Sequence, residues 1–265
     1  MESLVFKSFA TPRRLASIAF TLASAAAPVA RAQSAADHLA TGDRDHASMN
    51  PSGAMRHYEE VLKTEPASYE ALWKATREAV DLGEATSDEK ERDRLYAIAE
   101  QYARRAVEAN PGDAEGHGQL ARALGRKALS LRKRDQVRYA GDVRNAALDA
   151  LKLVPKHALA LHVMGMWNYN VLRLSGLTRL VARTFLGGKV FDSANWDDAQ
   201  KYMEESVAAE PARLVHHLDL GRVYAARGAR ERAREQFEMV AQLPGGDFND
   251  RRYKAEAMKE LAALR

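Results

Sequence analysis

The segment PARLVHHLDLGRVYAARGARERAREQFEMVAQLP, residues 211–244, decides the fold. Between its prolines lie His217, Leu220, Gly221 and Tyr224, then Gly228, then Ala233, Phe237 and Val240. Offsets of three and four place each set on one helical face, so the segment reads as two amphipathic helices joined at Gly228. Proline cannot continue a helix interior, so Pro211 and Pro244 bound the pair. Gly or Ala at the small positions lets the two helices touch.

The pattern extends outward from there. Pro66, Pro111, Pro155 and Pro211 are each preceded, by 12, 8 and 5 residues, by the same kind of set. These sets are Ala54, Tyr58, Val61; Ala99, Ala103, Ala106; Val143, Ala147, Ala150; and Ala199, Met203, Ser206. Six, nine and ten residues after the same prolines lie Leu72, Ala75, Thr76; His117, Leu120, Ala121; Leu161, Met164, Gly165; and His217, Leu220, Gly221. Five copies in phase predict an all-α chain, a tetratricopeptide-like solenoid of five helical hairpins. In the fourth copy Gly165 and Ala199 mark a close helix contact. Asp250–Leu264 reads as a C-terminal capping helix with Tyr253, Ala257, Met258, Leu261 and Leu264 facing inward, covering the last open face.

Proline spacings of 45, 44, 56 and 33 exceed the ideal repeat in three intervals. The excess is assigned to insertions: a charged connection over Glu84–Arg92, a basic one over Arg126–Arg138, and an inserted amphipathic helix in unit four within Gly176–Asn195. In that insert Leu177, Leu180, Val181, Phe185 and Leu186 form an apolar stripe expected to fold back on the solenoid. Trp167 is expected to pack against the insert, and Trp196 to staple the start of its helix, with Asn195 or Asp197 as the cap.

Three stretches narrow the resemblance. They are Met164-Gly-Met-Trp-Asn-Tyr-Asn-Val-Leu-Arg-Leu174 with the apolar helix ending at Phe185-Leu-Gly-Gly188, Leu243-Pro-Gly-Gly-Asp-Phe-Asn-Asp250 with Lys254–Leu261, and Tyr69–Arg77. Together they resemble the regulator of microtubule dynamics family over Ala36–Leu264. That resemblance implies a non-enzymatic helical-repeat domain; eukaryotic members associate with microtubules, and one branch binds phospholipids at organelle contact sites. The chain departs from the family at its N-terminus and at Gly187-Gly188-Lys189, where the family carries a proline-containing turn.

Composition bounds the chemistry. The 265 residues hold no cysteine, which excludes disulfides, thiolate zinc sites and a cysteine nucleophile. Net charge is +4, of which residues 1–32 supply +3 (Lys7, Arg13, Arg14 and Arg31 against Glu2), leaving a near-neutral body unsuited to bulk nucleic-acid binding. Residues 1–32 run from basic through an apolar Leu15–Val29 to Ala30-Arg31-Ala32, the order of an export signal cleaved after Ala32; a mitochondrial presequence is the alternative. The repeat domain then covers 33–265. Gly187–Val190 lacks the glycine spacing and the Ser or Thr of a phosphate loop. No nucleophile elbow, metal spacing or separated carboxylate pair appears, so no catalytic residue, metal or cofactor is assigned. His217 reads as a packing histidine.

The functional expectation is therefore binding. In such repeats the first helix of each hairpin lines the concave groove, which places Trp73 and Arg77, Gly118 and Arg122, His162 and Met166, and Leu218 and Arg222 there, with Arg126 and Tyr169 nearby. Arginine captures carboxylates or phosphates in bidentate fashion and stacks on aromatics. The groove is thus expected to take an anionic protein or peptide partner, with an amphipathic phospholipid as the alternative. The same expectation lets Arg126–Arg138 meet an acidic protein or membrane surface.

Overall fold

Four-residue turns anchored by the prolines set the helix boundaries. In Glu65–Ser68, Asn110–Asp113, Val154–His157 and Glu210–Arg213, the fourth amide donates to the first carbonyl at 3.0, 3.5, 3.0 and 3.1 Å. Proline holds the second position, where its fixed φ suits the turn and no amide is needed. The fourth residue opens the next helix; Asp113 and His157 cap it with their side chains.

The structure is a computed structural model that describes Met1 and residues 34–176 and 188–264. Contacts divide the chain after Ala32, and the repeat fold belongs to residues 33–265. Its helices are α1 (Ala35–Ala47), α2 (Pro51–Thr64), α3 (Tyr69–Ala85), α4 (Glu89–Ala109), α5 (Ala114–Ser130), α6 (Lys133–Leu153), α7 (Ala158–Leu172), α8 (Trp196–Ala209), α9 (Leu214–Ala226), α10 (Arg230–Gln242) and α11 (Asp250–Ala263). A 3-10 turn, Gly188–Ser193, precedes α8. Five hairpins, α1–α2 through α9–α10, stack in order, and α11 packs on the last.

The repeat phase is the packing phase. Ala54, Tyr58 and Val61, Ala99, Ala103 and Ala106, Ala199, Met203 and Ser206, and Ala233, Phe237 and Val240 are all fully buried. A Cβ at Gly165 would lie 2.5 Å from Met203 Cγ, and one at Gly221 2.5 Å from Phe237 Cε1, so only glycine lets these helices approach so closely. α7, at the centre of the array, is buried on nearly all sides, which explains its lack of a polar stripe.

Three expectations change. The extra length of units two and three lies in the helices rather than in charged connections. α3 and α4 have 17 and 21 residues where α9 and α10 have 13 each, which makes up the twelve-residue excess of the 45 spacing over the 33. Glu84 therefore sits on α3 and Arg126 on α5, and only residues 131 and 132 separate α5 from α6. In α11, Tyr253 and Ala257 are buried but Met258 is 58% exposed, because one residue past Ala257 turns it about 100° off the buried face. The apolar stripe Leu177–Leu186 lies outside the described residues. The packing of Trp167 on the insert helix lies outside them too; its Nε1 donates to the Ala140 carbonyl of α6 at 2.8 Å, and Arg144 stands over its ring. Trp196 opens α8 edge-on to Tyr169, and Asn195 is the cap.

Candidate functional site

The first helices of the hairpins, α3, α5, α7 and α9, put polar side chains on one face. There they build an ionic cluster. Arg122 Nη2 donates to Asp81 Oδ1 at 2.6 Å and to Glu84 Oε1 at 3.0 Å. Arg126 Nε reaches the same Glu84 oxygen at 2.8 Å. Arg222 is shared by Asp219 (2.9 Å), Glu256 (2.8 Å) and Glu260 (3.0 Å). His162 Nε2 meets Asp219 Oδ2 at 2.9 Å and stacks on His216 with ring centres 4.9 Å apart.

Burial shapes the titration of these groups. It would raise the Glu84 carboxyl, but Arg126 and Arg122 overcome it and hold the group at about 2. Burial raises the Asp81 carboxyl from its ordinary value, against the pull of Arg122. Burial would also raise Asp219, yet the hydrogen bond and charge of His162, with Arg222, hold it well below that range. Burial and the neighbouring His162 keep His216 neutral, well below the ordinary histidine value.

Beside the cluster lies a cavity of about 340 Å³. Val137, Ala140 and Val143 of α6, Val163, Met166, Trp167 and Val171 of α7, and Phe191 line its apolar part. Arg122, Arg126, His162, His216, Asp219 and Tyr253 form its polar end. Arg173, exposed at the rim, donates to Tyr169 OH at 2.8 Å and lies over that ring. Among the described residues it has no carboxylate partner.

Of the groove residues read from the sequence, Arg122, Arg126, His162 and Met166 meet at this cavity. Trp73 and Arg77 lie elsewhere: the Arg77 guanidinium sits 5.3 Å from the Trp73 ring centre and bonds Glu78 at 2.8 Å. Arg222 and Tyr169 flank the cavity without lining it. Gly118 and Leu218 pack between helices rather than facing the groove: a Cβ on Gly118 would come within 2.7 Å of His157, and Leu218 is fully buried. Sequence reasoning missed Asp81, Glu84 and Asp219. Their signal was present, since Asp81 and Glu84 follow Arg77 by four and seven residues and Asp219 precedes Arg222 by three, all on shared faces. Arg252 and Tyr253, which also reach Glu84, carry no local signal.

No group of three or more His, Asp and Glu among the described residues is arranged to hold a metal ion. His217 bonds the Pro211 carbonyl and Gln236, both at 2.8 Å, and His157 caps α7, so these histidines serve packing and turns.

Stacked hairpins with small residues at their seams define a tetratricopeptide-like repeat protein. A thermophilic tetratricopeptide-repeat protein of Thermus thermophilus has the same fold, with a TM-score of 0.61 at 19% identity over 85% of this chain and 100% of that one. The chain belongs to the regulator of microtubule dynamics family: the profile of regulator of microtubule dynamics protein 1-3 matches residues 33–265. Regulator of microtubule dynamics protein 1 of Bos taurus is 24% identical over 195 residues, 72% of this chain and 61% of the relative. The Homo sapiens protein is 23% identical over 194 residues, 72% and 61%. The chain thus spans less than two thirds of the length of these relatives.

Proposed function

We propose that this domain is a non-catalytic binding module that takes an amphipathic segment of a protein partner, seating its apolar side chains in the cavity between α5, α6 and α7. The cavity itself carries the reading. Its volume of about 340 Å³ lies at the small end of the range for ligand sites, and its wall is mostly apolar with a few convergent polar groups. Arg122, Arg126, His162 and Met166 flank the ligand. Arg173 meets an acidic group on it, because the other guanidiniums lining the cavity are already held by carboxylates. Trp73, Arg77, Tyr169 and Arg222 extend the surface on either side.

The continuous apolar wall supports a second reading, in which an acyl chain occupies the cavity and a phospholipid headgroup meets Arg173. Native mass spectrometry of the purified protein separates the two. A retained lipid mass supports the second reading and sinks the first; a clean mass with a captured peptide does the reverse. Ala140→Leu fills the cavity and abolishes binding in both cases. Undiminished binding by that variant overturns the cavity as the site.

We also propose that the protein is exported and cleaved after Ala32. The basic residues, the apolar stretch Leu15–Val29 and Ala30-Arg31-Ala32 support this. No helix among the described residues is long and apolar enough to cross a membrane. N-terminal sequencing of the mature protein tests the proposal: a start at Gln33 is expected, and a retained Met1 overturns it.

A further inference from the structure

Solenoid packing joins each hairpin to the next, and that rule gives no reason for the capping helix to return to the second hairpin. Here it does. Asn249 Nδ2 donates to the Asp81 carbonyl at 3.1 Å. Arg252 Nη2 and Tyr253 OH both donate to Glu84 Oε2, at 2.7 and 2.6 Å, across 168 and 169 residues of chain.

The two oxygens of Glu84 are divided between elements. Oε1 is held by Arg122 and Arg126 of α5. The donors to Oε2 both come from the first turn of α11. The carboxylate is 2% exposed, so withdrawal of α11 leaves a buried oxygen without partners unless the groove opens to solvent. The link between α10 and α11 contains Pro244, Gly245 and Gly246, and a side chain on Gly246 would meet nothing within 4 Å. Tyr253, Arg122 and Arg126 belong both to this contact and to the cavity wall.

We propose that α11 is a clip that closes the concave face through Glu84 Oε2, and that its release opens the polar end of the cavity. Two discrete arrangements of one packed helix make a switch of this kind; the closed one is held by these bonds, by Arg222 with Glu256 and Glu260, and by the burial of Tyr253 and Ala257. The proposal rests on the contact itself and not on which ligand the cavity holds.

Because the chain has no cysteine, Lys90→Cys and Met258→Cys carry spin labels without background. Both sites are exposed, one in the first turn of α4 and one on α11. Double electron–electron resonance on the full chain is expected to give one short distance. In the Arg252→Gln/Tyr253→Phe background a longer distance appears, the closed-to-open ratio falling by about tenfold or more. Tyr253→Phe alone, which removes one hydroxyl, shows the same shift at smaller amplitude and serves if the double variant does not fold. An unchanged single distance in a folded variant overturns the clip. Stopped-flow binding of 1-anilinonaphthalene-8-sulfonate tests the coupling. Its association rate rises with clip release, and an unchanged rate despite the longer distance overturns the gating. If the parent chain takes up no fluorophore, the cavity reading fails while the distances still decide the clip.

Discussion

The two ends of the cavity meet on α7 and behave differently. At the polar end, Arg122, Arg126 and Arg222 are surrounded by Asp81, Glu84, Asp219, Glu256 and Glu260, and each charge is met within the chain. At the other end, Val137, Val143, Trp167 and Val171, themselves buried, line the apolar wall of the cavity. An apolar wall around a cavity is surface against which an apolar group gains free energy by entering. The comparison teaches that, in this groove, charge maintains the shape and the apolar wall holds the capacity to bind.

The sharpest way to break that contrast is Glu84→Ala. It leaves Arg122, Arg126 and Arg252 facing an empty buried site, and a loss of about 3–5 kcal/mol in urea unfolding is expected. A loss below about 1 kcal/mol would show that the cluster is ornamental to the fold.

Acid titration probes the same group. Its folded value, about 2, lies below the ordinary 4.5, so its stabilisation is complete above the ordinary value and is lost as pH falls toward 2. The shift corresponds to at most about 3 kcal/mol. Asp81, raised by burial, acts in the opposite sense and reduces the net change. The parent should therefore lose more stability than Glu84→Gln between pH 5 and 2; parallel curves would contradict this.

Gly165→Leu tests the seam behind the cavity rather than its contents. Overpacking against Met203 should cost about 1–3 kcal/mol. An unchanged melting temperature would show that the repeat phase is misplaced.

The smallest effect on stability belongs to Arg173→Gln at the rim. It should leave unfolding within about 0.5 kcal/mol, as exposed positions usually do. Binding of an acidic partner should weaken by about tenfold and lose part of its salt dependence. Equal affinity in calorimetry would remove Arg173 from the site.

Most of the fold was legible because the repeat is local. Proline ends a helix wherever it falls, and residues such as Gly165, Gly221, Ala199 and Phe237 reveal a helical seam by spacing alone. The boundaries of units two and three were less legible. Charge at Glu84–Arg92 and Arg126–Arg138 resembles a solvated connection, and charge does not say whether an ion pair or water will satisfy it. The arginines of the groove were likewise visible, but their partners were not ranked, since Asp81 and Glu84 look like any acids on a helix.

The sequence by itself determined the helices, their pairing and the small residues at each seam, because all of these depend on neighbours within one or two turns of chain. Tertiary structure alone decided that Glu84 is shared by α5 and α11, that Tyr253 stands in both the ionic contact and the cavity wall, and that Val137 and Trp167 face the same void. Those relations join residues up to 169 positions apart. They depend on the curvature accumulated over several stacked hairpins, which no single repeat encodes.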